Sequence, residues 1–177
     1  MKIIYIKIKN YKSIRELEIN DIENALILVG KNNTGKTSVI DALLLASDLK
    51  PAPAHEFLDI TKPIDISIQI EFTEEDLNYY YSRGILCKSN SFEKWFEEFK
   101  ERIPSYKDGI VSFTFHNNPN GTTRYNDGFN KHNPDIEKII PKIYHIDQTR
   151  NLEALQNDVF SFYDKESFQK LKEKDIK

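Results

Sequence analysis

The first residues alternate: Ile4, Ile6 and Ile8 against Tyr5, Lys7 and Lys9. A period of two predicts a half-buried strand over residues 3–9. Leu17 and Ile19 open a second short strand. Residues 64–72 alternate most cleanly, with Ile64, Ile66, Ile68, Ile70 and Phe72 against Asp65, Ser67, Gln69 and Glu71. One face of that strand is buried and the other wet, the habit of antiparallel sheets. The run Ala25-Leu26-Ile27-Leu28-Val29 is different. It is apolar at every position, which predicts a central strand covered on both faces.

Helical spacing appears where the alternation stops. Residues from Thr37 to Ala46 are apolar nearly all round and predict a buried helix, closed off by Pro51 and Pro53. Thr73 with Asp76 predicts a capped helix start, and Ser91 a second one. Phe92, Trp95, Phe96, Phe99 and Ile103 then recur on one helical stripe, which reads as core. Residues 110–115 and 122–125 flank a turn-rich segment, His116-Asn117-Asn118-Pro119-Asn120-Gly121, and predict a hairpin. Ile143 to Ile146 reads as a further short strand, and the chain from Leu152 as helical.

Composition narrows the class without deciding it. With 177 residues, 39% apolar and 30% charged, the chain suits one domain or one large lobe of a bigger one. A net charge of -3 argues against a surface built wholly to hold nucleic acid. Lys2, Lys7, Lys9, Lys12 and Arg15 still crowd the start, where lysines commonly protect a sheet edge. Cys87 is the single cysteine, which excludes an internal disulfide and fits the cytoplasm. No apolar run approaches a membrane span. His55, His116, His132 and His145 share no spacing suited to zinc.

The chemistry is carried by Gly30-Lys31-Asn32-Asn33-Thr34-Gly35-Lys36-Thr37, which satisfies G-x-x-x-x-G-K-[ST]. An apolar run precedes it and a helix follows, the context such a loop needs. Gly30 and Gly35 let the backbone turn and approach a phosphate with no Cβ in the way. The amides of Asn33, Thr34, Gly35, Lys36, Thr37 and Ser38 converge on the phosphates, assisted by the positive end of the helix. Lys36 places an ammonium between β- and γ-phosphates, and the Thr37 hydroxyl suits Mg²⁺. The expected ligand is ATP with magnesium.

Asn32 turns the loop into G-x-N-x-T-G-K-T, and the opening strand runs Ile6-Lys7-Ile8-Lys9-Asn10-Tyr11-Lys12-Ser13-Ile14. Together with Ser38-Val39-Ile40-Asp41-Ala42-Leu43 after the loop, this resembles the ATPase heads of SMC, RecF and OLD-family proteins. The likeness is close over residues 1–46. It implies a P-loop NTPase α/β fold: an N-terminal lobe with a mixed sheet, a flanking antiparallel layer and helical decoration. It implies that Lys12, Ser13 and Arg15 sit near the nucleotide. It also implies that Gln148, in Ile143-Tyr144-His145-Ile146-Asp147-Gln148-Thr149-Arg150, is the Q-loop residue reaching the metal or its water. A rival assignment makes Asp147 a Walker B acid, and Arg150 matches an arginine often found there in OLD-like proteins.

The resemblance also implies parts that these residues lack, namely the signature motif, a convincing Walker B strand, the switch histidine and a TOPRIM nuclease domain. The expected organisation is therefore an incomplete head over 1–177. Residues 1–50 form the strand–loop–helix core and 64–72 a flanking strand. Residues 73–135 are inserted helices and hairpin, and 143–177 hold the Q-loop and the start of a helical insertion. Three functions stay open. One is the ATP-binding lobe of an OLD-like, DNA-processing, anti-phage endonuclease, working as a homodimer or higher oligomer. The second is an SMC- or RecF-like ATP-gated DNA clamp or repair ATPase without a nuclease. The third is a small self-contained P-loop kinase or GTPase, weakened by the lack of an N-K-x-D element.

Overall fold

The computed structural model describes residues 1–31, 35–141 and 143, and Met1–Ile143 form one compact unit. Among the described residues, five strands make a single antiparallel sheet. They are β1 (Lys2–Tyr11), β2 (Ile14–Ile19), β3 (Ile64–Glu71), β4 (Ile110–Asn117) and β5 (Thr123–Asn126), in the spatial order β2-β1-β3-β4-β5. β1 and β2 are a hairpin, as are β4 and β5. β3 joins them, pairing with β1 from Lys2↔Glu71 to Lys9↔Asp65 and with β4 from Ile64↔Asn117 to Glu71↔Ile110.

The period-two pattern dictates the two faces. Ile6, Ile8, Ile64, Ile66, Ile68, Ile70, Val111, Phe113, Phe115 and Tyr125 are buried on one side. The other side is a polar ladder. One row runs across all five strands, through Glu16, Lys9, Asp65, His116 and Arg124. His116 Nδ1 meets Asp65 Oδ1 at 2.5 Å, and Lys9 pairs with Glu16 at 3.2 Å.

Helices cover the apolar face. α1 (Lys36–Asp48) lies on β1 and β3. α2 (Glu74–Ser82) starts at Thr73 with the reciprocal capping box expected from Asp76. α3 (Phe92–Arg102) is capped by Ser91, whose hydroxyl accepts from the Lys94 amide, and buries Trp95 and Phe99 completely. Phe72 bridges the layers, with its ring edge-on to Tyr80 and Phe99. A last short turn, α4 (Ile136–Ile139), buries Ile136 and Ile139.

Two expectations are corrected. Residues 25–29 form no strand: Ile27 is 81% and Val29 87% exposed. An apolar run becomes a central strand only if neighbours on both sides accept its backbone bonds. Among the described residues none lies alongside. α1 is also less buried than its composition suggests. Only Val39, Ala42 and Ala46 are fully covered, and Ile40 is 38% exposed. One side of α1 rests on the sheet, and among the described residues no second layer covers the other. The expected strand at 143–146 lies outside the described residues apart from Ile143.

Candidate nucleotide site

The loop delivers the chain into α1 through Gly35. That residue is the N-cap at φ 88°, ψ 9°, left-handed backbone that side-chain-bearing residues rarely adopt. A Cβ there would stand 3.6 Å from Ser13 Oγ, so the turn after β1 runs directly beside the loop. No side chain caps α1, and its first turn holds no acidic residue. Its N-terminal amides and the positive end of its dipole are therefore left for an anion.

Lys36 folds back over the loop, its Nζ donating to the Gly30 carbonyl at 2.8 Å and the Lys31 carbonyl at 2.6 Å. That posture places the ammonium on the two carbonyls that precede α1 in the chain, close to the helix start. Thr37 is exposed at the first turn and Ser38 half-buried beside it. Asn32, Asn33 and Thr34 lie outside the described residues, as do Asp147, Gln148 and Arg150.

The opening motif divides into separate tasks. Asn10 (φ 60°) is a structural pin. Its Nδ2 donates to the carbonyls of Asp59, Lys62 and Pro63, and its Oδ1 accepts from the Asp59 amide at 2.7 Å. Lys12 is already engaged: Nζ meets Asp41 Oδ2 at 2.6 Å and Glu56 Oε1 at 3.5 Å. Burial pushes the Lys12 ammonium down, but the Asp41 and Glu56 carboxylates outweigh that and hold it above its ordinary value. Because Asp41 sits on α1, Lys12 ties the turn after β1 to the loop's own helix. Ser13 stands beside Gly35. Arg15 is exposed and lines a cleft of about 680 Å³ with Lys9, Asp59, Lys62 and Asp65. Of the three expected neighbours of the nucleotide, Ser13 is thus beside Gly35 and Lys12 is paired with Asp41 of α1, while Arg15 lines this cleft.

The helix's far end is held as well. Leu49 ends α1 in left-handed backbone at φ 51°. Tyr125 Oη donates to the Ala46 carbonyl at 2.6 Å, and Thr123 Oγ1 to the Leu49 carbonyl at 3.0 Å. Asn117 Oδ1 accepts from the Ala52 amide at 2.7 Å. The sequence assigns none of these contacts to Asp41, Asn117, Thr123 or Tyr125. Their partners lie tens of residues away, and no local spacing marks them.

The loop geometry agrees with a sequence-wide likeness. Residues 1–177, the entire chain, match the model of the AAA ATPase domain family. The chain belongs to that family. Its fold is accordingly a P-loop NTPase lobe. The solved structures include one described under "Structural biochemistry of ATP-driven dimerization and DNA stimulated activation of SMC ATPases". It is 17% identical, has a TM-score of 0.42 and covers 71% of this chain and 68% of that one. No curated protein matches.

Proposed function

We propose that this AAA ATPase domain binds ATP with magnesium and serves as the N-terminal ATPase lobe of an OLD-like, DNA-processing, ATP-dependent endonuclease acting in the cytoplasm against phage. The observation that carries the nucleotide reading is the uncapped start of α1, reached through a left-handed Gly35 with Lys36 folded over the loop. The residues fit the ligand: amides and Lys36 receive the phosphates, and Thr37 offers a hard oxygen for the metal. Magnesium would supply charge neutralisation between the phosphates. Gln148 is the residue proposed to meet that metal or its water.

Support for a head completed by a further lobe comes from the exposed run at 25–29. So much uncovered apolar backbone next to a phosphate loop asks for strands to pair with it. On this reading two heads sandwich the nucleotides in a homodimer or higher oligomer, and DNA is engaged by the full-length protein. A clamp or repair ATPase without a nuclease uses the same lobe equally well. The reading frame beyond residue 177 separates the two: an acidic TOPRIM cluster supports the endonuclease, a long coiled coil without one the clamp.

Titration of the chain with Mg-ATP tests the core of the proposal. Binding is expected for the wild type and loss of it for Lys36→Ala, with slow turnover, because a phosphate loop alone does not position water or stabilise the leaving charge. Equal affinity of wild type and Lys36→Ala would overturn the nucleotide assignment. Brisk hydrolysis abolished by Lys36→Ala would overturn the incomplete-site reading.

A further inference from the structure

The strand-to-helix loop is only as well placed as the helix behind it, and α1 rests on the sheet through small side chains. Ala42 and Ala46 are fully buried and Val39 nearly so. Alanines give close approach but few knobs to engage the opposite surface, so apolar packing alone resists sliding along the helix axis weakly. Directional bonds must supply the axial register.

Those bonds come from hairpin β4–β5. Ala46, Leu49 and Ala52 are spaced by three residues along the end of α1 and the chain that leaves it. Each is met by one side chain from the core-facing side of the hairpin: Tyr125, Thr123 and Asn117 in turn. Tyr125 and Asn117 are fully buried. The Tyr125 ring is itself fixed, edge-on to Phe113 at 5.6 Å and tilted against Phe115 at 6.1 Å. The carbonyls of Ala46 and Leu49 belong to the last turn of α1, whose acceptors are otherwise orphaned. Leu49, a non-glycine residue in left-handed backbone, turns the chain out of α1 ahead of the third contact. Toward the middle of α1, the Lys12–Asp41 pair ties the helix to the turn after β1.

We propose that Tyr125, aided by Thr123 and Asn117, is a positioning residue for the phosphate site: hairpin β4–β5 sets the axial placement of α1 and thereby of Lys36, Thr37 and the first-turn amides. The hairpin touches no phosphate. It acts through the length of a rigid helix. Phosphate recognition is sensitive to displacements well below one ångström per contact, so an unregistered helix binds with several amides misaligned at once.

This inference rests on the nucleotide reading above, and its test separates the two. Mg-ATP affinity is measured on the full chain, well below its melting temperature, for wild type, Lys36→Ala, Tyr125→Phe, Thr123→Val and the Tyr125→Phe/Thr123→Val double variant. Tyr125→Phe keeps the ring and removes only the hydroxyl. Expected are a loss of about threefold for each single variant and about tenfold for the double. Thr123→Ser, which keeps the hydroxyl, is expected to retain wild-type affinity. Ile103→Val, a buried substitution at the end of α3, is the comparison: it is expected to lower the melting temperature without moving the affinity. Wild-type affinity in the folded hydroxyl variants, with only melting temperature reduced, would overturn the positioning role and leave the nucleotide reading standing. Absence of Mg-ATP binding by the wild type would overturn both. The single variants decide the question should the double variant not fold.

Discussion

At the scale of single residues, side chains that read as chemistry often turn out to hold backbone, and the reverse. Asn10 belongs to the motif most suggestive of a ligand, yet it spends both ends of its amide on the 59–63 loop. Lys12 keeps its charge but shares it with Asp41 and Glu56. Asp127, unmarked in the sequence, is buried at 4% exposure and accepts from the amides of Phe129 and Asn130 and from the side chain of Asn133. Burial pushes its carboxyl up, but those hydrogen bonds outweigh it and hold it below the ordinary 3.8. A carboxylate lowered in the folded state contributes stability above its unfolded value and loses it as pH falls through the folded one. Denaturant midpoints measured from pH 6 downward should therefore show Asp127→Asn less stable than wild type at the upper end. The gap should close below the ordinary carboxylate range. A gap that stays constant to the lowest pH would show that the charge contributes nothing.

At the scale of elements, local signals were strongest where the physics is local. Helix caps are the clearest case. Thr73 and Asp76 are three residues apart, and the bonds between them need nothing from the rest of the chain. Thr73→Ala should cost about 1 kcal/mol by thermal or denaturant unfolding. An unchanged midpoint would mean that the Asp76 bond to the α-amino group of Met1 holds this end of α2 alone. Strand β3 was equally legible, its alternation surviving as strict burial of every second residue. The run at 25–29 was misleading for the same reason. Hydrophobicity shows that a segment wants cover. It does not show that cover is present, and a strand, unlike a helix, cannot satisfy its own backbone. The hairpin's grip on α1 was invisible, because Tyr125 and Ala46 are 79 residues apart.

At the scale of the whole molecule, the described residues leave one sheet face dry under helices and the other a polar ladder, and the apolar run at 25–29 stands exposed before the glycine-rich loop. That exposed run predicts behaviour of the purified chain. Ile27 and Val29 contribute almost nothing to its own core. Ile27→Ser/Val29→Ser should leave the melting temperature nearly unchanged, within about 0.5 kcal/mol, because exposed substitutions rarely do more. The same variant should reduce self-association in sedimentation or light scattering. A large loss of stability would mean that these residues are buried in the isolated chain after all. The sequence by itself determined the capped starts at Thr73 and Ser91 and the inward faces of β1 and β3, because spacing along the chain is sufficient to specify a cap or an alternation. Tertiary structure alone decided which strands became neighbours, that Lys12 serves Asp41, and that β4–β5 grips the end of α1. Those outcomes depend on contacts between distant segments, which local periodicity does not encode.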